Sequence, residues 1–361
     1  MAIEPEQAGP LRVVVVGAGA VGSFLGGSLA SPAATVTLLA RRPYEGPDAD
    51  TLLIEDVAGA RHVPVRRTTD PATVGGADVV IIAVKAFDLE QALETACRWP
   101  GAAVLTAQNG VGAEALADAW IPYPTPLLAA SLTAAIEPVD GGGVRRLRTG
   151  GIGVAVVRDD DAGRGRALRG RLAALWTAAG LPAKACPDAD AMKWSKLLAN
   201  LVGNATSAIL DLSPGVIYQD KRLYAIERRQ LQEALAVMKG LGLRPVALPG
   251  ADVSMLLRGM WLPTAMGRPL VARGISGARG GKSPSLRLHV REGGTGPTEA
   301  RWLNGAVVAA SGAAGVPTPV NEALLGIVEE VASDAERAEW FKGHPARLIE
   351  AVAAWGTIPE A

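Results

Sequence analysis

The order of apolar runs along this chain predicts an α/β fold in two parts. A doubly wound, mostly parallel sheet is expected over residues 1–186, and an all-helical domain over residues 187–361. Three observations lead there. Short, wholly apolar runs such as Val13–Val16 recur through the first half, as strands buried on both faces require. A glycine-rich turn follows the first of these runs directly. After Pro187 strand-like runs cease and helical periodicity takes over.

Val13–Val16 reads as the first strand, the small-residue stretch through Ala30 as a helix, and Thr35–Leu39 as the second strand. Leu52–Val65 alternates on either side of Ala58-Gly59 and reads as an inserted hairpin. Val79–Val84 and Val104–Ala107 are further buried strands. Leu127–Pro138 and Val144–Val157, interrupted by Gly141-Gly142-Gly143, read as later antiparallel strands. Arg164–Ala179 has helical periodicity and stops at Gly180. In the second part, helices are expected over Asp188–Leu210, Arg222–Gly240, Glu299–Ala314, Val320–Ala335 and Pro345–Ala354. The last of these has its proline at the first helical position. Gly274–Gly296, rich in Gly, Ser and Arg, reads as a loop over the site.

The formal net charge is zero, from 36 basic and 36 acidic residues, so nothing draws the chain to nucleic acid or an anionic membrane. Cys97 and Cys186 form no CxxC, and His62, His289 and His344 are scattered, so neither a disulfide framework nor a metal centre is expected. No apolar run reaches the length of a membrane span. The N-terminal segment lacks the apolar core of a signal peptide. A cytoplasmic protein with a small-molecule substrate is expected, and a homodimer stays open.

The turn after the first strand reads Gly17-Ala18-Gly19-Ala20-Val21-Gly22. In a dinucleotide fold, Gly17 permits the tight turn, Gly19 lets a pyrophosphate approach the backbone, and Gly22 lets the helix pack on the sheet. The helix beginning around Ala20 and Val21 then offers amide donors and a partial positive charge to the phosphates. The bland alternative is a plain strand–helix turn. At the end of the second strand, where an NAD-binding fold usually places an acid, the chain reads Leu39-Ala40-Arg41-Arg42. Guanidinium groups suit a 2′-phosphate, so NADP is expected as the cofactor. The alternative is a pair of solvated arginines. Lys85, at the end of Val79–Val84, would add charge to the same region, unless it too is only solvated.

The segment around Lys196 carries the chemistry. Lys196, Asn200 and Asn204 stand four residues apart, on one face of a helix whose other positions, among them Trp194, Leu197, Leu198 and Leu201, are apolar. Such a stripe faces a polar cavity, or else its asparagines satisfy backbone groups and its lysine escapes at the margin. A lysine in an apolar cleft can have its pKa lowered and act as an acid. Carbonyl reduction needs one, because the arriving hydride leaves an alkoxide.

The segments GAGAVG, VKAFD, AQNGVG, KWSKLLANLVGN, PTEARWLNGAVV and GVPTPVN occur in that order between about Leu11 and Val331. Together they resemble the ketopantoate reductases, or 2-dehydropantoate 2-reductases. The resemblance implies a Rossmann-type NADP-binding domain, a helical catalytic domain with the active site in the cleft between them, and NADPH-dependent reduction of a 2-oxo acid. By it, Lys196 is the general acid and Asn200 and Asn204 lie on the substrate side. Asn109 lies near the nicotinamide ribose and substrate, Glu299 binds the substrate hydroxyl, and Ser285 helps hold the carboxylate. Three features depart from the family, one of them a longer, glycine-rich loop over Glu292–Pro297. Ser285-Leu286-Arg287-Leu288-His289 stands where a stretch like SMLQD is usual, and Arg301 stands where a second acid is usual. The substrate therefore stays open between ketopantoate and another 2-oxo acid, a lactone or an imine. A non-catalytic NADP-binding sensor is the reading from another class, and the Lys196 stripe argues against it.

Overall fold

The computed structural model describes residues 9–46, 48–262, 266–269, 271, 284–291 and 297–355. They form two compact units. The first takes in the described residues through Gln108, together with Ala113–Ala189 and Leu248–Gly250; the second takes in Asn109–Gly112, Asp190–Ala247 and the described residues from Ala251 onward.

The first unit runs β1 (Leu11–Val16), α1 (Ala20–Leu29), β2 (Ala34–Leu39), β3 (Thr51–Asp56), β4 (Gly59–Pro64), β5 (Arg66–Thr68), β6 (Val79–Ile82), α2 (Leu89–Ala96), β7 (Ala103–Thr106), α3 (Ala113–Trp120), β8 (Leu127–Leu132), β9 (Ile136–Val139), β10 (Gly143–Arg146), β11 (Ile152–Arg158), α4 (Arg164–Ala178) and β12 (Ala183–Ala185). Eight strands form one sheet in the order β12-β11-β8-β7-β6-β1-β2-β5. β1 is parallel to β2 on one side and to β6 on the other, with Val13 opposite Val36 and Val79. The chain thus winds outward from β1 in both directions, and the strand order reverses there. β11 runs antiparallel to β8.

The apolar runs are explained by burial on both faces. Val13, Val15, Val79 and Ile81 pack with Phe24 and Leu25 of α1 and with Leu172 and Trp176 of α4. Their neighbours Val14, Val16, Val80 and Ile82 pack with Leu89 and Leu93 of α2 and with Ala113 and Ala117 of α3. The Leu52–Val65 segment is a hairpin, in register from Thr51↔Pro64 to Asp56↔Gly59. Rather than standing alone, it joins β9 and β10 in a second sheet of order β4-β3-β10-β9.

The second unit is helical: most of α5 (Ala189–Leu201), then α6 (Ala205–Leu210), α7 (Pro214–Ile217), α8 (Lys221–Gly240), α9 (Val253–Trp261), α10 (Ser285–Arg291), α11 (Asn304–Ala314), α12 (Pro319–Ser333), α13 (Ala335–Phe341) and α14 (Pro345–Ala353). Its core gathers Leu197, Leu201, Ile209, Leu231, Val307 and Leu324, all essentially inaccessible.

Three sequence expectations are corrected here. The helix expected over Asp188–Leu210 is two helices, because Gly203 adopts a left-handed φ of 57° between α5 and α6. The stretch expected to be loop, Gly274–Gly296, contains the helix α10; residues 274–283 and 292–296 lie outside the described residues. The helix expected from Glu299 begins as a 3-10 turn, Glu299–Trp302, and α11 proper starts at Asn304.

Candidate active site

The glycine turn sits where the sheet reverses. Gly17 has φ 101°, and a Cβ there would lie 2.8 Å from Val84 Cγ1 and 2.9 Å from Val84 N, so only glycine fits. A Cβ on Gly22 would lie 2.0 Å from the Gly17 carbonyl oxygen. Gly19, the residue before α1, has open space where its side chain would be, and no side chain caps the helix. The first-turn amides of Ala20, Val21 and Gly22 have no acceptor earlier in the helix. A backbone cradle left uncovered at a helix start fits the pyrophosphate of a dinucleotide.

Positive charge gathers on the segments that leave β2 and β6. Arg41 and Arg42 follow β2 and are exposed. Arg41 Nη1 lies 3.3 Å from Asp88 Oδ2. Lys85 is also exposed and precedes the 3-10 turn Ala86–Asp88. The arginine pair expected from the sequence is thus accompanied by an acid that the sequence reading did not weigh.

On α5, Lys196 and Asn200 are partly buried, while Met192, Lys193, Trp194, Ser195, Leu197, Leu198 and Leu201 are buried. Asn200 Nδ2 donates to Asn109 Oδ1 at 3.5 Å. Asn109 is held by its neighbours. Gly110 has φ 86°, and a Cβ there would lie 2.1 Å from the Trp302 carbonyl oxygen. The Val111 amide donates to that same oxygen at 3.0 Å. Trp302 ends the 3-10 turn that Glu299 begins, and Glu299 is 9% exposed. Three segments expected at the site, those of Asn109, Asn200 and Glu299, therefore meet in the second unit.

Asn204 does not continue the stripe along one helix axis. It follows the Gly203 break, is 5% exposed, and its Oδ1 accepts from the Leu286 amide at 3.3 Å. It thereby holds the start of α10, where the exposed Ser285 is the first residue. The departures from the family pattern also have structural partners. Arg287 Nε donates to Asp211 Oδ1 at 2.9 Å, and Arg291 Nη2 donates to the Ile209 carbonyl at 2.7 Å. Both arginines seat α10 on the end of α6. Arg301 Nε donates to Glu329 Oε1 at 2.6 Å on the surface.

Glu227 was missed in the sequence. Fully buried on α8, it accepts from the Gly203 amide at 2.7 Å, the Thr206 hydroxyl at 2.6 Å and the Tyr218 hydroxyl at 2.7 Å. This carboxylate anchors the helix break beside the lysine helix. Its signal was an acid on the apolar face of α8, in line with Leu223, Gln230 and Leu231. Among the described residues, no group of three or more His, Cys, Asp or Glu is placed to hold a metal ion, and no helix is long and apolar enough to cross a membrane.

A glycine-cradled turn at the reversal of a parallel sheet, together with a helical unit presenting a lysine beside asparagines, defines a nicotinamide-dinucleotide oxidoreductase. The family model described as "Ketopantoate reductase PanE/ApbA" matches residues 13–156, and that of its C-terminal part matches residues 188–332. The 2-dehydropantoate 2-reductase of Halobacterium salinarum is 27% identical over 322 residues, covering 88% of this chain and 98% of the relative. The crystal structure of a PanE/ApbA family ketopantoate reductase from Ralstonia eutropha superposes with a TM-score of 0.72 at 28% identity, covering 91% of this chain and 99% of that one. A D-mandelate dehydrogenase solved with NADH and anilino(oxo)acetate shares the fold, with a TM-score of 0.68 at 18% identity over 89% of this chain and 98% of that one. The chain belongs to the ketopantoate reductase family, whose members are NAD(P)H-dependent oxidoreductases.

Proposed function

We propose that the protein reduces 2-dehydropantoate to pantoate, with NADPH as the hydride donor and Lys196 as the proton donor. The observation that carries the reading is the meeting of Asn109 and Asn200 one helical turn from Lys196, on the partly buried margin of an otherwise buried helix. NADPH, when bound, supplies a hydride to the carbonyl carbon. The Lys196 ammonium then gives its proton to the oxygen that becomes the alcohol, a role for which a positioned acid contributes about 10²–10⁴-fold. Asn200 and Asn109 orient the substrate, and Glu299 accepts a hydrogen bond from its hydroxyl. Ser285, first on α10, binds the carboxylate, and Asn204 keeps α10 in place. Arg41 and Arg42 bind the 2′-phosphate, with Lys85 adding charge, while Gly17, Gly19, Ala20, Val21 and Gly22 seat the pyrophosphate. The proposed work is that of a cytoplasmic enzyme. NADPH oxidation followed with a panel of 2-oxo acids, a lactone and an imine tests the reading. Turnover is expected with 2-dehydropantoate, and absence of turnover with every compound would leave the sensor reading in its place.

A further inference from the structure

We propose that Arg67 is a positioning residue that sets the NADPH preference by clamping the loop on which Arg41 and Arg42 stand; this rests on the reading of those arginines as the 2′-phosphate site. Between β2 and the start of β3 at Thr51, the described residues form no helix or strand. Arg67 lies on the neighbouring strand β5, opposite Leu38 of β2. Its Nη1 donates to three carbonyls of that loop and its exit: Asp48 at 3.1 Å, Ala49 at 2.9 Å and Thr51 at 2.6 Å. Its guanidinium also stacks on Tyr44, with Cζ 3.9 Å from the ring centroid.

Tyr44 is fixed in turn. Its hydroxyl donates to the Gly141 carbonyl at 2.7 Å. Side chains at Gly46 or Gly142 would collide with its ring or hydroxyl, at 2.0 and 2.2 Å. The loop adds its own brace, with the Asp48 carboxylate accepting from the Asp50 amide at 2.9 Å and the Thr51 hydroxyl at 2.8 Å. The stacked pair ties the chain two residues beyond Arg42 to the strand beside β2. A solvated loop has no need of a partly buried arginine beneath it, whereas a phosphate site gains when its cations are ordered before the ligand arrives. Only NADPH carries the phosphate, so the clamp discriminates between the two cofactors and does more than stabilise the fold.

The test is titration of NADPH and of NADH into the parent, Arg67→Ala and Tyr44→Phe, read by quenching of tryptophan emission and independent of turnover. Thermal melting accompanies each variant. The parent is expected to prefer NADPH. Arg67→Ala should weaken NADPH binding about tenfold while NADH changes little, and Tyr44→Phe should shift the ratio the same way by about two- to threefold. A parent with no preference overturns the 2′-phosphate reading itself. A parent preference that survives in the variants, or an equal loss of both cofactors, overturns the clamp alone. Should Arg67→Ala fail to fold, Tyr44→Phe decides the matter by itself.

Discussion

Arg41 is ion-paired to Asp88, with 3.3 Å between Nη1 and Oδ2 and 80% of the arginine side chain exposed. The pair links the segments leaving β2 and β6, on either side of the glycine turn. Asp88 makes no side-chain bond to the start of α2, so removing its charge costs the helix no cap. An exposed pair of this kind contributes up to about 1 kcal/mol. Asp88→Asn should therefore free Arg41 and tighten NADPH binding by up to about fivefold, with NADH unchanged. Fluorescence titration of both cofactors checks this. Unchanged NADPH affinity would show that Asp88 does not compete with the phosphate for Arg41.

Lys196→Ala should lower turnover by about two orders of magnitude or more, the usual contribution of a general acid. NADPH affinity should be retained, because the glycine turn and the arginines proposed to bind it belong to the other unit. Single-turnover kinetics beside a binding titration separates the two effects. Near-parental turnover in the variant would place the proton donor elsewhere.

The parts of the fold legible in the sequence are those set by neighbours along the chain. Val13–Val16 reads as a central strand because alternate residues meet opposite helix layers. Gly17 and Gly22 stand out because the turn itself demands them, with φ 101° at Gly17 and a Cβ on Gly22 lying 2.0 Å from the Gly17 carbonyl oxygen. The three-residue strands β5 and β12 carry too little pattern to read, since each lies at a sheet edge. The break at Gly203 depends on Glu227, 24 residues further on, and the seating of α10 depends on Asp211 and Ile209, 76 and 82 residues back. No local periodicity reports such pairings. The same distance hid the structural work of Arg287 and left Asn204 on what looked like one unbroken stripe.

Glu227→Leu should destabilise the second unit by about 3 kcal/mol or more, because three buried donors lose their acceptor at once and each unmet donor costs about 1–3 kcal/mol. Glu227→Gln keeps an oxygen for the Gly203 amide and Tyr218 while offering its amide to the Thr206 hydroxyl, so its loss should be clearly smaller. Denaturant unfolding compares them. Equal large losses in both variants would mean that the carboxylate charge itself anchors the break, and negligible loss in both would mean that packing volume does.

The Asp78 carboxyl is held below the usual aspartate range by the side-chain hydrogen bonds of Arg12, which outweigh its burial, and the Arg12 amide adds to the effect. Arg12 Nη2 lies 2.6 Å from Oδ1 and its backbone amide 2.8 Å from Oδ2. A folded value below the unfolded one, about 3.9, stabilises the protein above that pH. This stability is lost as pH falls through the lowered folded value. Melting temperatures taken from about pH 6 down to about pH 3 should therefore show Asp78→Asn less stable than the parent near neutrality, with the gap closing in acid. A gap that stays constant across the series would mean that the pair does not act through this carboxylate's charge.

Glu299, proposed to bind the substrate hydroxyl, and Arg301 stand two residues apart with opposite charges. A free arginine at 301 would attract a second anionic group on a substrate, but Arg301 already has a partner. Its Nε lies 2.6 Å from Glu329 Oε1, the arginine side chain is 70% exposed, and its charge is answered on the surface by α12. Glu299, 9% exposed, opens the 3-10 turn whose Trp302 carbonyl holds the residues after Asn109. Its link to the proposed substrate residues Asn109 and Asn200 runs only through this turn, whose last carbonyl contacts Gly110 and Val111. A buried hydrogen bond to a charged group is worth about 1.5–3 kcal/mol. Glu299→Ala should thus raise the apparent KM for 2-dehydropantoate about tenfold or more, and leave an analogue lacking the hydroxyl nearly unchanged. Arg301→Ala should affect neither by more than about twofold, since an exposed pair contributes little. Steady-state profiles of the parent and both variants, run with 2-dehydropantoate, its deoxy analogue and a dicarboxylic 2-oxo acid, separate the possibilities. A parent that prefers the dicarboxylate, and loses that preference in Arg301→Ala, would show that Arg301 leaves Glu329 for the substrate; the reaction type would then stand without 2-dehydropantoate as its substrate.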